Sequence, residues 1–156
     1  MKNGKKRKVD PEKTSVDYSF DLRKEFEWSG ELLCYFHNSK NNGHPVRQFR
    51  SSSSIIICAK ISETDSSKIK IGDEIKIEIT AQNDQFENDH IGLIHKYRQT
   101  IEMYVWLNWD YIHHIHCILL SKKAEMLSIT GTELFNRSGK IKGILIQQQY
   151  EPYGSR

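Results

Sequence analysis

From Thr100 to Gln149 the side chains alternate in character almost residue by residue. In Ile101–Leu107 the odd positions are aliphatic, and the even positions Glu102, Tyr104 and Trp106 are acidic or aromatic. Successive side chains leave a strand on opposite sides, so this period of two predicts a half-buried strand. Tyr111–Leu119 repeats the pattern and places His114 and His116 on one face. Two turns could join these strands. A two-residue turn at Trp109-Asp110 would put both imidazoles among the aliphatic residues. A three-residue turn, Asn108-Trp109-Asp110, pairs Leu107 with Tyr111 and gathers Ile101, Met103, Val105, Leu107, Ile115, Cys117 and Leu119 on one apolar face, with His113 as its polar exception near the edge. The second register is preferred, because a slip of one residue moves a whole face and burying unpartnered polar rings costs a few kcal/mol. Further turns near Lys122-Lys123 and Asn136–Gly139 complete a predicted antiparallel meander.

Upstream, Phe20 and Leu22 share one strand face and Phe26 and Trp28 another. Ser29-Gly30 is a permissible hairpin turn into a strand over 31–36. Residues 37–54, rich in Asn and Ser with Gly43 and Pro45, read as a long loop. Ile55–Ile61 reads as a strand buried on both faces. Lys68–Ile71 and Glu74–Ile79 alternate strictly around a turn at Gly72-Asp73. From Asp84 the period changes. Asp84 and Glu87 form a capping-box pattern, and Phe86, His90, Leu93, Ile94 and Tyr97 follow at helical spacing, although Gly92 costs such a helix roughly 1 kcal/mol.

These elements predict a mainly β fold, with α+β as the neighbouring class. It is a single-domain antiparallel sandwich or partly open barrel of about eight strands with one helix near 85–98. Residues 1–16 are expected to be a disordered basic arm, 17–150 the domain and 151–156 a frayed tail.

Charge changes the picture only at the N-terminus. Lys2, Lys5, Lys6, Arg7 and Lys8 supply five of 23 basic residues before any acid occurs, which leaves 18 basic against 20 acidic in the remainder. The domain is near neutral, and polyanion attraction is expected from Lys5, Lys6, Arg7 and Lys8, a cluster that also resembles a short nuclear-import signal. The longest apolar run, Ile55–Ala59, is far short of the ~20 residues of a membrane-spanning helix. No signal-peptide pattern opens the chain, and Cys34, Cys58 and Cys117 lack framework spacing. The expected location is therefore cytoplasmic, or nuclear in a eukaryotic or viral setting, with no membrane contact.

Candidate chemistry concentrates on the meander. Two histidines at i and i+2 of a strand with a carboxylate opposite can hold a divalent metal, so Glu102, His114 and His116 form a candidate metal or ligand site; no other cofactor is called for. Tyr104 and Trp106 offer an aromatic binding face, and Arg47 with Arg50 offers an anion contact in the predicted loop. No residue is assigned a catalytic role, and no phosphate loop, nucleophile elbow or paired-cysteine motif occurs. The leading expectation is a small non-catalytic binding or protein-interaction module. Behind it stand a nucleic-acid-associated protein anchored by its basic arm, and a metal-dependent enzyme using the His-x-His site.

Overall fold

The computed structural model describes residues 15–82 and 89–148. The basic cluster at Lys5–Lys8, most of the expected arm, the capping box at Asp84 and Glu87, and the tail 151–156 lie outside the described residues.

In chain order the elements are β1 (Val16–Asp21), β2 (Glu27–Asn41), β3 (His44–Lys60), β4 (Glu63–Thr64), β5 (Glu74–Ala81), β6 (Gly92–Tyr97), β7 (Thr100–Leu107), α1 (Trp109–Leu120), β8 (Ala124–Gly131) and β9 (Ser138–Gln148). The alternation read from the sequence places the core. Ile75, Ile77 and Ile79 of β5 and Ile101, Met103 and Val105 of β7 are buried. Lys76, Glu78, Glu102, Tyr104 and Trp106 leave the other face of the same strands. Val16, the first residue of β1, is buried.

The described strands form one nine-stranded mixed sheet in the order β2-β3-β5-β7-β6-β9-β8-β1-β4. All pairs are antiparallel except β5 and β7. Beyond β3 the chain crosses to the far side of the sheet, where the Ser62 N–H donates to the Ser19 carbonyl at 2.8 Å and β4 pairs with β1. That crossing curls the sheet into a partly open barrel filled mainly by isoleucine, whose branched side chain suits a pleated, half-buried surface.

Several expectations from the sequence are corrected. The one helix among the described residues lies at Trp109–Leu120, where a strand was expected. Asn108 caps it, its side chain accepting from the Asp110 N–H at 3.0 Å, and Ile112, Ile115, Ile118 and Leu119 are buried at helical spacing. The same residues satisfy a period of two over a short stretch. The helix wins because β7 is already paired on both sides, by β5 and β6, so no ladder is open to a following strand. Leu107 accordingly pairs with Ala81 and not with Tyr111. Conversely, residues 92–97 of the expected helix form β6. A Cβ at Gly92 would overlap the Tyr104 carbonyl oxygen, so this glycine permits close strand approach.

Another correction concerns residues 37–54, which are not a loop. β2 and β3 run for 15 and 17 residues as one hairpin. It is closed by the two-residue turn Asn42-Gly43 with φ of 52° and 80°, the positive pair of a type I′ turn. Ser29-Gly30 lies within β2 and makes no turn. Lys68–Ile71 is not a strand either: a bend buries Ile69 and leaves Ile71 exposed.

Candidate functional site

β3 pairs with β5 only over Ser54–Lys60, so residues of β3 before Ser54 have no strand partner among the described residues except β2. The outer hairpin therefore leaves the barrel as a two-stranded ribbon, from the rim where β5 and β7 end and α1 begins. Its register fixes two faces. Ile55 and Ile57, opposite Gly30 and Trp28, belong to the barrel interior. The same face continues outward through Leu32, Cys34 and Phe36, with Ser53, Ser51 and Phe49 across from them. The reverse face carries Leu33, Tyr35 and His37 opposite Ser52, Arg50 and Gln48.

The ribbon is apolar where it meets water. Leu32, Phe36 and Phe49 are 66%, 61% and 58% exposed, and Leu33, Tyr35 and Val46 are exposed as well. Phe36 and Phe49 meet edge-to-face at 5.5 Å, and the Arg47 guanidinium lies 5.9 Å from the Phe36 ring centre. Arg47 and Arg50 are three apart on one strand and so point to opposite faces, opposite Asn38 and Tyr35; they do not converge on one anion. Cys34 and Cys117 are both exposed, Cys34 on the ribbon and Cys117 on the helix.

The expected trio of Glu102, His114 and His116 is not brought together. Glu102 lies on the outer face of β7, where the Tyr104 hydroxyl donates to its carboxylate. That bond, with some burial and the carboxylate's charge, raises the Tyr104 pKa. Tyr104 and Trp106 share this face with Glu102, as the alternation implies. The neighbour that completes it is His95 of β6, opposite Glu102, 6.0 Å from the Tyr104 ring centre and hydrogen-bonded to the Ser138 hydroxyl at 3.2 Å. Reading 85–98 as a helix concealed His95. No group of three metal-ligating side chains occurs among the described residues.

The histidines instead flank α1 at the barrel rim. His116 packs edge-on against Trp28, with ring centres 5.4 Å apart, and over Gly30, whose Cβ position is 3.5 Å from the imidazole. It borders a cleft of about 390 Å³ between the ribbon root and the helix, lined by Leu32, Ser53, Trp109, Ile112 and His113. His114 faces a second cleft of about 620 Å³, where Tyr111 and Ile118 of α1 stand across from Ile144 and Ile146 of β9.

Away from the rim, the Glu133 carboxylate accepts hydrogen bonds from the Ser66 and Ser67 hydroxyls and from the Ser67 and Leu134 N–H groups, at 2.7–3.3 Å. Partial burial works to raise its pKa, and these bonds outweigh that and hold it below the ordinary value. They pin the segment after β4 to the segment after β8, a structural role. No helix among the described residues is long and apolar enough to cross a membrane.

Compared with known proteins, the chain matches no family model, no curated sequence and no solved structure. Its class is therefore defined by its own geometry: a partly open β-barrel, closed at one rim by a helix, that extends a long two-stranded ribbon.

Proposed function

We propose that this protein is a non-catalytic protein-interaction module that docks through the β2–β3 ribbon. The observation that carries the reading is the exposure of Leu32, Leu33, Tyr35, Phe36, Val46 and Phe49 on a ribbon that has left the barrel. A two-stranded hairpin alone in water is marginally stable, and contiguous apolar surface of more than a few hundred Å² marks an interaction site. Aromatic rings beside arginine, as at Phe36, Phe49 and Arg47, are the composition that anchors protein interfaces. A metal-dependent enzyme gains no support, since the residues it would need face different parts of the molecule.

Site-specific photo-crosslinking tests the proposal. A benzophenone side chain in place of Phe36 or Phe49 is expected to form covalent adducts with protein, a second copy of this chain included. The same group in place of Tyr97, which is exposed on the barrel, should give few. Equal yields at ribbon and barrel would overturn the assignment.

A further inference from the structure

We infer that the partner received by the ribbon is a second copy of this chain, paired antiparallel along the free edge of β2 about a two-fold axis at Cys34. The inference rests on the ribbon being the docking arm, and it adds which edge is used, in what register and by what occupant.

Among the described residues β2 is the terminal strand of the sheet and pairs only with β3, so one side of its 15 residues has no backbone partner among them. Natural edge strands are guarded by shortness, charge, proline or bulges; β2 is long, has no proline and no charge between Leu32 and Phe36, and its register with β3 runs unbroken from Glu27 to Asn41. The other edge of the sheet, β4, has two residues. In a two-residue hairpin the residues flanking the turn, here Asn41 and His44, exchange both hydrogen bonds. Odd positions of β2 are thus committed to β3, and Gly30, Leu32, Cys34 and Phe36 direct their peptide groups to the open edge.

The side chains along that edge are self-complementary in one register. With Cys34 opposite its own copy, Leu33 meets Tyr35, Leu32 meets Phe36, Glu31 meets His37 and Trp28 meets Lys40. Acidic residues occupy the N-terminal half of the strand and cationic or titratable ones the C-terminal half. Antiparallel pairing therefore opposes unlike groups, whereas parallel pairing would oppose like ones. Centring the pair on Leu33 would set Glu31 against Tyr35; centring it on Tyr35 would set Leu33 against His37. Both lose the match. The register also brings Phe36 of the second copy beside Leu32, at the mouth of the cleft lined by Trp109, Ile112 and His116.

Cys34 is exposed and would lie at the centre as a hydrogen-bonded pair, with Cα atoms about 5.5 Å apart, inside the range of a disulfide. The test keeps Cys34 as the sole thiol, through Cys58→Ser and Cys117→Ser, and oxidises the full chain with diamide. Most of the protein is expected to run as a disulfide dimer. Asn38→Cys in the same background with Cys34→Ser should not crosslink above the level of random encounter, because the two sulfurs would be about 27 Å apart along the strands. Sedimentation equilibrium should show a dimer for the parent and a monomer for Cys34→Pro, which removes an outward N–H and leaves the β2–β3 bonds in place. A monomeric parent, or equal crosslinking at positions 34 and 38, overturns the second copy as partner. If Phe36 then still photo-crosslinks to other proteins, the interaction reading survives; if it labels nothing, both fall.

Discussion

His116 of α1 stands edge-on to Trp28 of β2, with ring centres 5.4 Å apart and planes at 78°. This pair joins the helix that closes the barrel to the strand that leaves it. His116 also forms part of one wall of the cleft at the ribbon's root.

His116→Ala is expected to cost about 0.5–1.5 kcal/mol, the worth of an aromatic pair. Hydrogen exchange should show the loss concentrated in β2 and β3 near Trp28, with β8 and β9 unaffected. Uniform loss across the sheet would mean the pair carries no special role at the ribbon root.

The ribbon is expected to be dispensable for folding. Residues 31–53 add no side chain to the buried core. Joining Glu31 to Ser54, which face each other across the hairpin, through an Asn-Gly turn should leave Tm within a few degrees while removing dimerisation and crosslinking. Unfolding of the shortened chain would show that the ribbon supports the barrel.

Ile115 and His114 are neighbours on α1 with opposite environments, one buried and the other exposed. Ile115→Ala should cost on the order of 2–5 kcal/mol in urea unfolding. His114→Gln should change stability by less than about 0.5 kcal/mol. Equal costs would contradict the helical placement of this segment.

Glu133 gives a pH dependence of definite sign. Its folded pKa lies below the ordinary 4.5. The carboxylate therefore contributes stability above that pH, and the contribution is lost as pH falls from 4.5 through the folded value. Glu133→Gln should be less stable than the parent at pH 7, and the two should converge in acid. A difference that widens in acid would reverse the sign.

Residues 15–148 hold no cationic run to match Lys5, Lys6, Arg7 and Lys8, and Arg47 and Arg50 diverge. Changing those four residues to alanine should sharply reduce heparin retention and flatten its salt dependence. Unchanged retention would assign the binding to the folded surface.

The strands of the barrel are legible without coordinates wherever one face is wet and the other dry. Ile75–Ile79 and Ile101–Val105 alternate because the pleat alternates, and that alone determines their inward residues and the shared face of Glu102, Tyr104 and Trp106. The hairpin tip was legible too: Asn42-Gly43 is the strongest local turn signal in the chain, obscured by the polar residues around it. Position 111–119 was undetermined by local pattern, since its apolar residues fit both periods, and β-branched Ile112, Ile115 and Ile118 lean toward strand. Tertiary structure decided it, because β5 and β6 already occupy both edges of β7 and the Asn108 cap opens a helix across the rim. The exposure of Leu32, Phe36 and Phe49 has the same origin. Apolar residues at strand spacing read as core in any sequence; here β5 ends its pairing at Ser54, and no other strand among the described residues covers what lies beyond.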